Sequence, residues 1–152
     1  MDKLAYEGDA AAIKLPSPAL VGENADFSFS GLKTAALNYI NSERQKGVEP
    51  NAADITASYT KVIVDAITKK TDYIIKQHQP KKLVLAGGVA ANSHIRAALE
   101  ELCAKRRVEF CRPSLSLCSD NAAMVAAAGY FEYLEGHFAD TSLNASANDD
   151  GN

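Results

Sequence analysis

The sequence has no tryptophan, and no Lys or Arg beyond residue 112. No stretch approaches the roughly 18 apolar residues of a membrane span, and Met1-Asp2-Lys3-Leu4-Ala5 lacks the apolar h-region of a signal peptide. The expectation is therefore a cytoplasmic chain with no membrane partner. Cysteine is scarce: Cys103, Cys111 and Cys118 are odd in number, and their spacings fit neither a disulfide framework nor a CxxC zinc pair. They are expected to be inert thiols. His78, His94 and His137 show no spacing that makes a metal or catalytic pair, so no role is assigned to them. No Ser/His/Asp, Cys/His or HExxH arrangement is visible, which argues against peptidase chemistry.

What remains is the composition of an ordinary globular protein, with 47% hydrophobic and 23% charged residues. At 152 residues the chain holds one compact domain and not two. Its charge is uneven. Residues 1–112 carry all 16 Lys and Arg, whereas 113–152 carry acids and no base. Basic groups at Lys69-Lys70, Lys81-Lys82 and Lys105-Arg106-Arg107 read, taken singly, as solvated faces.

Residues 3–25, with Pro16, Pro18 and Gly22, read as an irregular connection opening on a short helical start. Phe27 and Phe29 alternate with Ser28 and Ser30 as a short strand would, and Gly31 then breaks the run before Leu32, Ala35, Leu37 and Ile40 resume at helical spacing. Between Pro50 and Pro80 a longer helix is expected, N-capped by Asn51, with Ile55, Tyr59, Ile63, Ala66 and Ile74 on its apolar stripe. Lys82 to Ala86 suits a strand buried on both faces of a parallel sheet. A helix from about Asn92 to Lys105, a strand at Val108 to Cys111 and a last helix from about Asn121 to Leu134 complete a strand-helix-strand unit and its sequel. Residues 1–136 thus read as one α/β unit, and the polar stretch 137–152 as a loosely held tail.

Two patterns bear on chemistry. In the first, a buried strand ends in Gly87-Gly88 and a helix opens at Asn92, so backbone N–H groups and the positive end of a helix dipole face one space that a nucleotide can approach. The bland alternative is a strand-to-helix turn with Asn92 or Ser93 as a cap; the spaced glycines of a dinucleotide fingerprint are missing. In the second, Asp120 precedes the small-residue run Ala122 to Gly129, where it reads either as an N-cap or as one oxygen ligand of a metal. Lys33 reads as a helix-surface lysine within reach of a phosphate at best.

Three segments taken together resemble a known family. Asp26-Phe27-Ser28-Phe29-Ser30-Gly31-Leu32-Lys33-Thr34, then Ala86-Gly87-Gly88-Val89-Ala90-Ala91-Asn92-Ser93 with Arg96, then Ser119-Asp120-Asn121-Ala122-Ala123-Met124 with Gly129-Tyr130, are similar to successive motifs of the tRNA N6-adenosine threonylcarbamoyltransferases. That family was once described as glycoprotein endopeptidases. The resemblance runs from about Asp2 to Ala147 and includes Phe138-Ala139-Asp140 and Ser142-Leu143-Asn144.

The resemblance implies the actin-like ATPase superfold, shared with Hsp70 and sugar kinases, with residues 1–136 as a partial domain that carries half of the nucleotide site. It also implies transfer of threonylcarbamoyl from threonylcarbamoyl-AMP to N6 of the adenosine 3′ of the anticodon in tRNA. Gly87, Gly88 and Asn92 correspond to the adenylate-contacting turn, Asp2 to a ribose-holding aspartate, and Asp120 to a ligand of one divalent metal ion, iron or zinc. Threonylcarbamoyl-AMP, ATP or ADP is the implied nucleotide ligand. A paralogous actin-like scaffold subunit and a P-loop ATPase subunit are the implied bacterial partners. Nothing here resembles the family's N-terminal half, with its HxxxH metal pair and Ser-Gly-Gly-His phosphate loop, so that half is a further expected partner and the chain alone is expected to be inactive. The rival is a non-catalytic nucleotide-binding or partner-docking scaffold of the same superfold. A sugar-kinase or acetate-kinase relative leaves the Phe-Ser-Phe-Ser-Gly-Leu-Lys and Ser-Asp-Asn-Ala-Ala-Met motifs unexplained.

Overall fold

A computed structural model of the chain describes residues 2–18, 26–119 and 122–144. Its elements are a 3-10 turn at Leu4–Tyr6, helices α1 (Phe29–Gln45) and α2 (Ala52–His78), strand β1 (Lys82–Val84), a 3-10 turn at Gly88–Ala91, helix α3 (Ser93–Arg106), strand β2 (Glu109–Cys111), and helices α4 (Ser116–Ser119) and α5 (Ala122–Glu135).

Helix α2 begins where Asn51 takes up two orphan N–H groups: its side chain accepts from Ala53 (2.9 Å) and Asp54. Its first turns hold the N-terminal segment. Asp54 Oδ1 accepts from the Asp9 N–H (2.8 Å), and buried Ser58 joins the Asp9 carbonyl and the Ile13 N–H. Gly8 lies so close to α2 that a Cβ there would come within 2.1 Å of the Ala53 carbonyl oxygen. Only a residue without a side chain permits that approach.

Further along, the buried positions of α2 are Ala66, Lys70 and Ile75. Ile75 joins Ile95, Leu99 and Leu102 of α3 in the main core, against which Leu83 and Phe110 of the sheet pack. Arg106 of α3 clips the same two helices through Asp72 of α2, which also pairs with Lys76 on its own helix, at 2.6 Å each. Hydrogen bonds from Arg106 and then from Lys76 hold the Asp72 carboxyl down from the usual 3.8 to about 2. Strands β1 and β2 pair in parallel, Lys82 opposite Glu109, Leu83 opposite Phe110 and Val84 opposite Cys111. The connection through α3 is the expected strand-helix-strand unit.

Four expectations need correction. The run Phe27 to Ser30 is not a strand: Phe27 forms only an isolated bridge, and Phe29 already opens α1. The i, i+4 pair Leu32 and Ala36, both buried, prevails over the two-residue alternation before it, and Gly31 sits in the first turn without breaking the helix. Strand β1 is not buried on both faces, because Leu83 turns toward α3 while Val84 is 69% exposed. Ile74, expected on the apolar stripe of α2, is exposed, and Ile75 enters the core instead. Helix α4 was not expected. The last helix begins near its expected start, but none of its described residues is buried. Residues 137–144 carry local bonds, Asp140 accepting from the Ser142 N–H (2.8 Å), and 145–152 lie outside the described residues. Among the described residues no helix is long and apolar enough to cross a membrane.

Candidate nucleotide-binding turn

The first motif stands where the strand-turn-helix reading puts it. Strand β1 ends at Val84, with the Leu85 N–H still bonded to the Cys111 carbonyl (2.9 Å), and two residues later the chain turns at Gly87. Gly87 has φ 88° and ψ 176°, a region open almost exclusively to glycine. A Cβ added at Gly87 or Gly88 would meet nothing within 4 Å. The backbone of the turn therefore faces open space, as close approach of a ligand to main-chain N–H groups requires.

Asn92 ends the 3-10 turn and caps α3, its Oδ1 accepting from the Ile95 N–H at 3.0 Å. The cap and ligand readings of this residue are thus compatible, since the bond uses the carbonyl side of the amide and its NH2 donors are distinct from it. Asp2 arrives from the start of the chain, 91 residues away, and its Oδ1 accepts from the Ser93 N–H at 3.0 Å. Its negative charge sits at the positive end of α3, where the dipole favours it. The fold thus brings Asp2 beside Asn92 at the start of α3, where the Gly88–Ala91 turn ends. With Ser93 and Ile95 already satisfied by side chains and a carboxylate in place, this helix end suits a donor-bearing ligand group such as a ribose hydroxyl better than a phosphate.

Sequence reasoning missed the side chains that lock this arrangement. Tyr6 stacks on His94 with ring centroids 4.0 Å apart, its hydroxyl meets Ser93 Oγ at 2.9 Å, and His94 Nε2 approaches the Asp2 carbonyl at 3.3 Å. A lone histidine and tyrosine so far apart in sequence carry no spacing signal. Buried Arg96 has no acidic partner among the described residues: Nε donates to the Ala90 carbonyl, and Nη2 to the Pro113 carbonyl (2.9 Å) and Cys118 Sγ (3.0 Å). Its guanidinium ties the glycine turn to the segment that leads into α4. All three cysteines are free, and burial raises the pKa of Cys103.

The second motif is harder to place. Asp120, expected as an N-cap or a metal ligand, lies outside the described residues. Among the described residues no group of three or more His, Cys, Asp or Glu could hold a metal ion, so they do not by themselves fit iron or zinc.

The family model of the tRNA N6-adenosine threonylcarbamoyltransferases matches residues 1–127. A relative of that name in Clostridium perfringens (strain SM101 / Type A) is 45% identical over 148 residues, covering 97% of this chain and 44% of the relative. One in Clostridium botulinum (strain 657 / Type Ba4) is 43% identical over the same lengths. The chain spans less than half the length of these curated relatives, and it belongs to the tRNA N6-adenosine threonylcarbamoyltransferase family.

Proposed function

We propose that this chain is the C-terminal portion of a transferase of actin-like superfold that moves threonylcarbamoyl from threonylcarbamoyl-AMP to N6 of the adenosine 3′ of the anticodon in tRNA. The observation that carries the reading, beside family membership, is the placement of Asp2 and Asn92 together at the start of α3, which follows the open Gly87-Gly88 turn directly in the chain. Here the backbone of the turn admits the adenylate, the Asp2 carboxylate accepts from the ribose, and the Asn92 amide donates to the nucleotide. Positioning is the main contribution of these residues. The N6 amine of the tRNA attacks the acyl carbon, a C–N bond forms, the bond to the AMP oxygen breaks, and the amine proton passes to solvent. No protein nucleophile takes part.

The metal reading rests on Asp120 alone. One carboxylate falls short of the roughly three protein ligands of a catalytic site, so an iron or zinc ion would take its other donors from the part of the family that this chain does not cover. No step is derived through it. The apolar, uncovered α5 favours the same view, that a matching N-terminal part completes the protein. The scaffold and P-loop ATPase subunits expected from the resemblance belong to this proposal, as does a cytoplasmic location.

The test is reconstitution. The purified chain is expected to bind little metal and to make no threonylcarbamoyladenosine, whereas the chain paired with an N-terminal half from a relative recovers both, and the pair carrying Asp120→Ala loses them. Strong turnover by the isolated chain, or full turnover by the Asp120→Ala pair, would refute the reading.

A further inference from the structure

The cations of this chain are unevenly used. Arg44, Lys46, Lys61, Lys76, Lys82, Arg106 and Arg112 all pair with acids. Of the exposed cations with no ion pair among the described residues, which also include Lys3, Lys14 and Lys33, the four Lys69, Lys81, Lys105 and Arg107 gather at one end of the molecule. There the C-terminal ends of α2 and α3 meet at the edge of the sheet opposite the Gly87-Gly88 turn.

Two open clefts lie there. One, of about 510 Å³, is lined by Lys76, Lys81, Arg106 and Arg107 with Gln79 and no acidic residue. The other, of about 410 Å³, adds Lys69 and Lys105 and shares Arg106 with the first. The acids around them are largely neutralised: Asp72 lies between Arg106 and Lys76, Asp65 pairs with Lys61, and Glu109 with Lys82, leaving Glu101 in the second cleft. The helix ends bring partial negative charge, but the Gln79 N–H bonds the Ile75 carbonyl (2.9 Å) and the Val108 N–H the Cys103 carbonyl (3.0 Å).

Backbone conformation singles out the same cleft. Gln79 (φ 45°) and Arg107 (φ 59°), the non-glycine residues of positive φ among the described residues, both line it. Glycine is the cheaper residue at such a left-handed helix cap, so a long polar side chain held there points to a use for the side chain.

We infer that this acid-free cleft binds phosphates of an RNA backbone, with Lys81 and Arg107 as the principal contacts and Lys69 and Lys105 extending the track. An RNA fits better than an acidic protein, because the rim offers long cationic side chains and no exposed aromatic or aliphatic anchor. Helix α3 spans about 20 Å from the glycine turn to the cleft, a distance that one folded RNA covers while presenting a base at the turn. The inference rests on the transfer reading only for the choice of tRNA.

Binding of a labelled tRNA transcript to the isolated chain, measured by fluorescence anisotropy across a KCl series, tests it. Lys81→Ala/Arg107→Gly is expected to weaken binding by about tenfold and to lower the salt slope by roughly 0.7 to 0.9 per lost phosphate contact. Its melting temperature should be equal or higher, since glycine relieves the left-handed cap. Lys14→Ala/Lys46→Ala, which removes two exposed cations elsewhere, should leave affinity and slope in place. The inference is overturned by unchanged binding in the first variant, by equal weakening in the second, or by labelled polyglutamate binding as tightly as the tRNA. No acyl donor is present, so a failed cleft appears as unchanged RNA affinity here, and a failed transfer reading as missing modified adenosine in the reconstituted pair.

Discussion

Helices α3 and α5 have the same length, 14 residues, and opposite fates. Polar Ser93–Arg106 buries Ile95, Arg96, Leu99, Leu102 and Cys103, whereas apolar Ala122–Glu135 buries none of its described residues. Apolar composition does not itself create burial; a complementary surface must be present. Helix α3 has one in α2 and the sheet. Helix α5 leaves Val125, Tyr130, Phe131, Tyr133 and Leu134 each about three-fifths exposed, and a helix apolar on most faces is normally a covered one.

The sharpest way to break this comparison is truncation at one site in each helix. Leu99 is 4% exposed within the core, so Leu99→Ala should cost about 2–5 kcal/mol, a large share of a small domain's stability. Phe131→Ala removes a larger side chain from a surface that touches water, and its cost in the isolated chain should stay within about 0.5 kcal/mol. Urea denaturation of both variants measures the difference. A loss above about 2 kcal/mol for Phe131→Ala would mean that α5 is covered in solution.

The same contrast explains what was legible in the sequence. The Asn51 cap, the α2 and α3 spans and the turn at Gly87 were readable because each rests on local chemistry: a capping side chain, a helical period, a left-handed backbone. The exposure of Val84 and of α5 was not, because periodicity marks which face is apolar and says nothing of whether a partner covers it. A role for Asp2 came only from family resemblance, and its bond to Ser93 was not legible, since the partners are 91 residues apart. Tyr6, His94 and the buried Arg96 bonds escaped altogether, being set by tertiary placement.

A smaller effect sharpens the comparison through pH. The Asp72 clip belongs to the buried half, and its carboxyl titrates at about 2 instead of 3.8. A group whose folded pKa is depressed stabilises the fold above its unfolded pKa and loses that contribution as the pH falls toward the folded one. The clip should therefore contribute at most about 2 kcal/mol above pH 4, declining toward pH 2. Asp72→Asn should flatten that part of the stability profile, as read by denaturation at successive pH values. A profile identical to that of the parent protein would show that the clip does not contribute.

The smallest effect on stability carries the most information about the turn. Asn51 and Asn92 are both helix caps, each accepting from backbone N–H groups in the first turn of its helix. Serine caps a helix about as well as asparagine, so Asn51→Ser and Asn92→Ser should each change stability by less than about 0.5 kcal/mol. The two positions differ in what else lies nearby: Asn92 adjoins the open Gly87-Gly88 turn and the Asp2 carboxylate, and serine lacks the amide donors that asparagine keeps free of the cap. In the chain paired with an N-terminal half, ADP affinity measured by calorimetry should therefore be unchanged for Asn51→Ser and should fall about fivefold for Asn92→Ser, the worth of one hydrogen bond near 1 kcal/mol. Equal affinity in the two variants would make Asn92 a cap and nothing more, and would move the nucleotide contact to the backbone of Gly87 and Gly88.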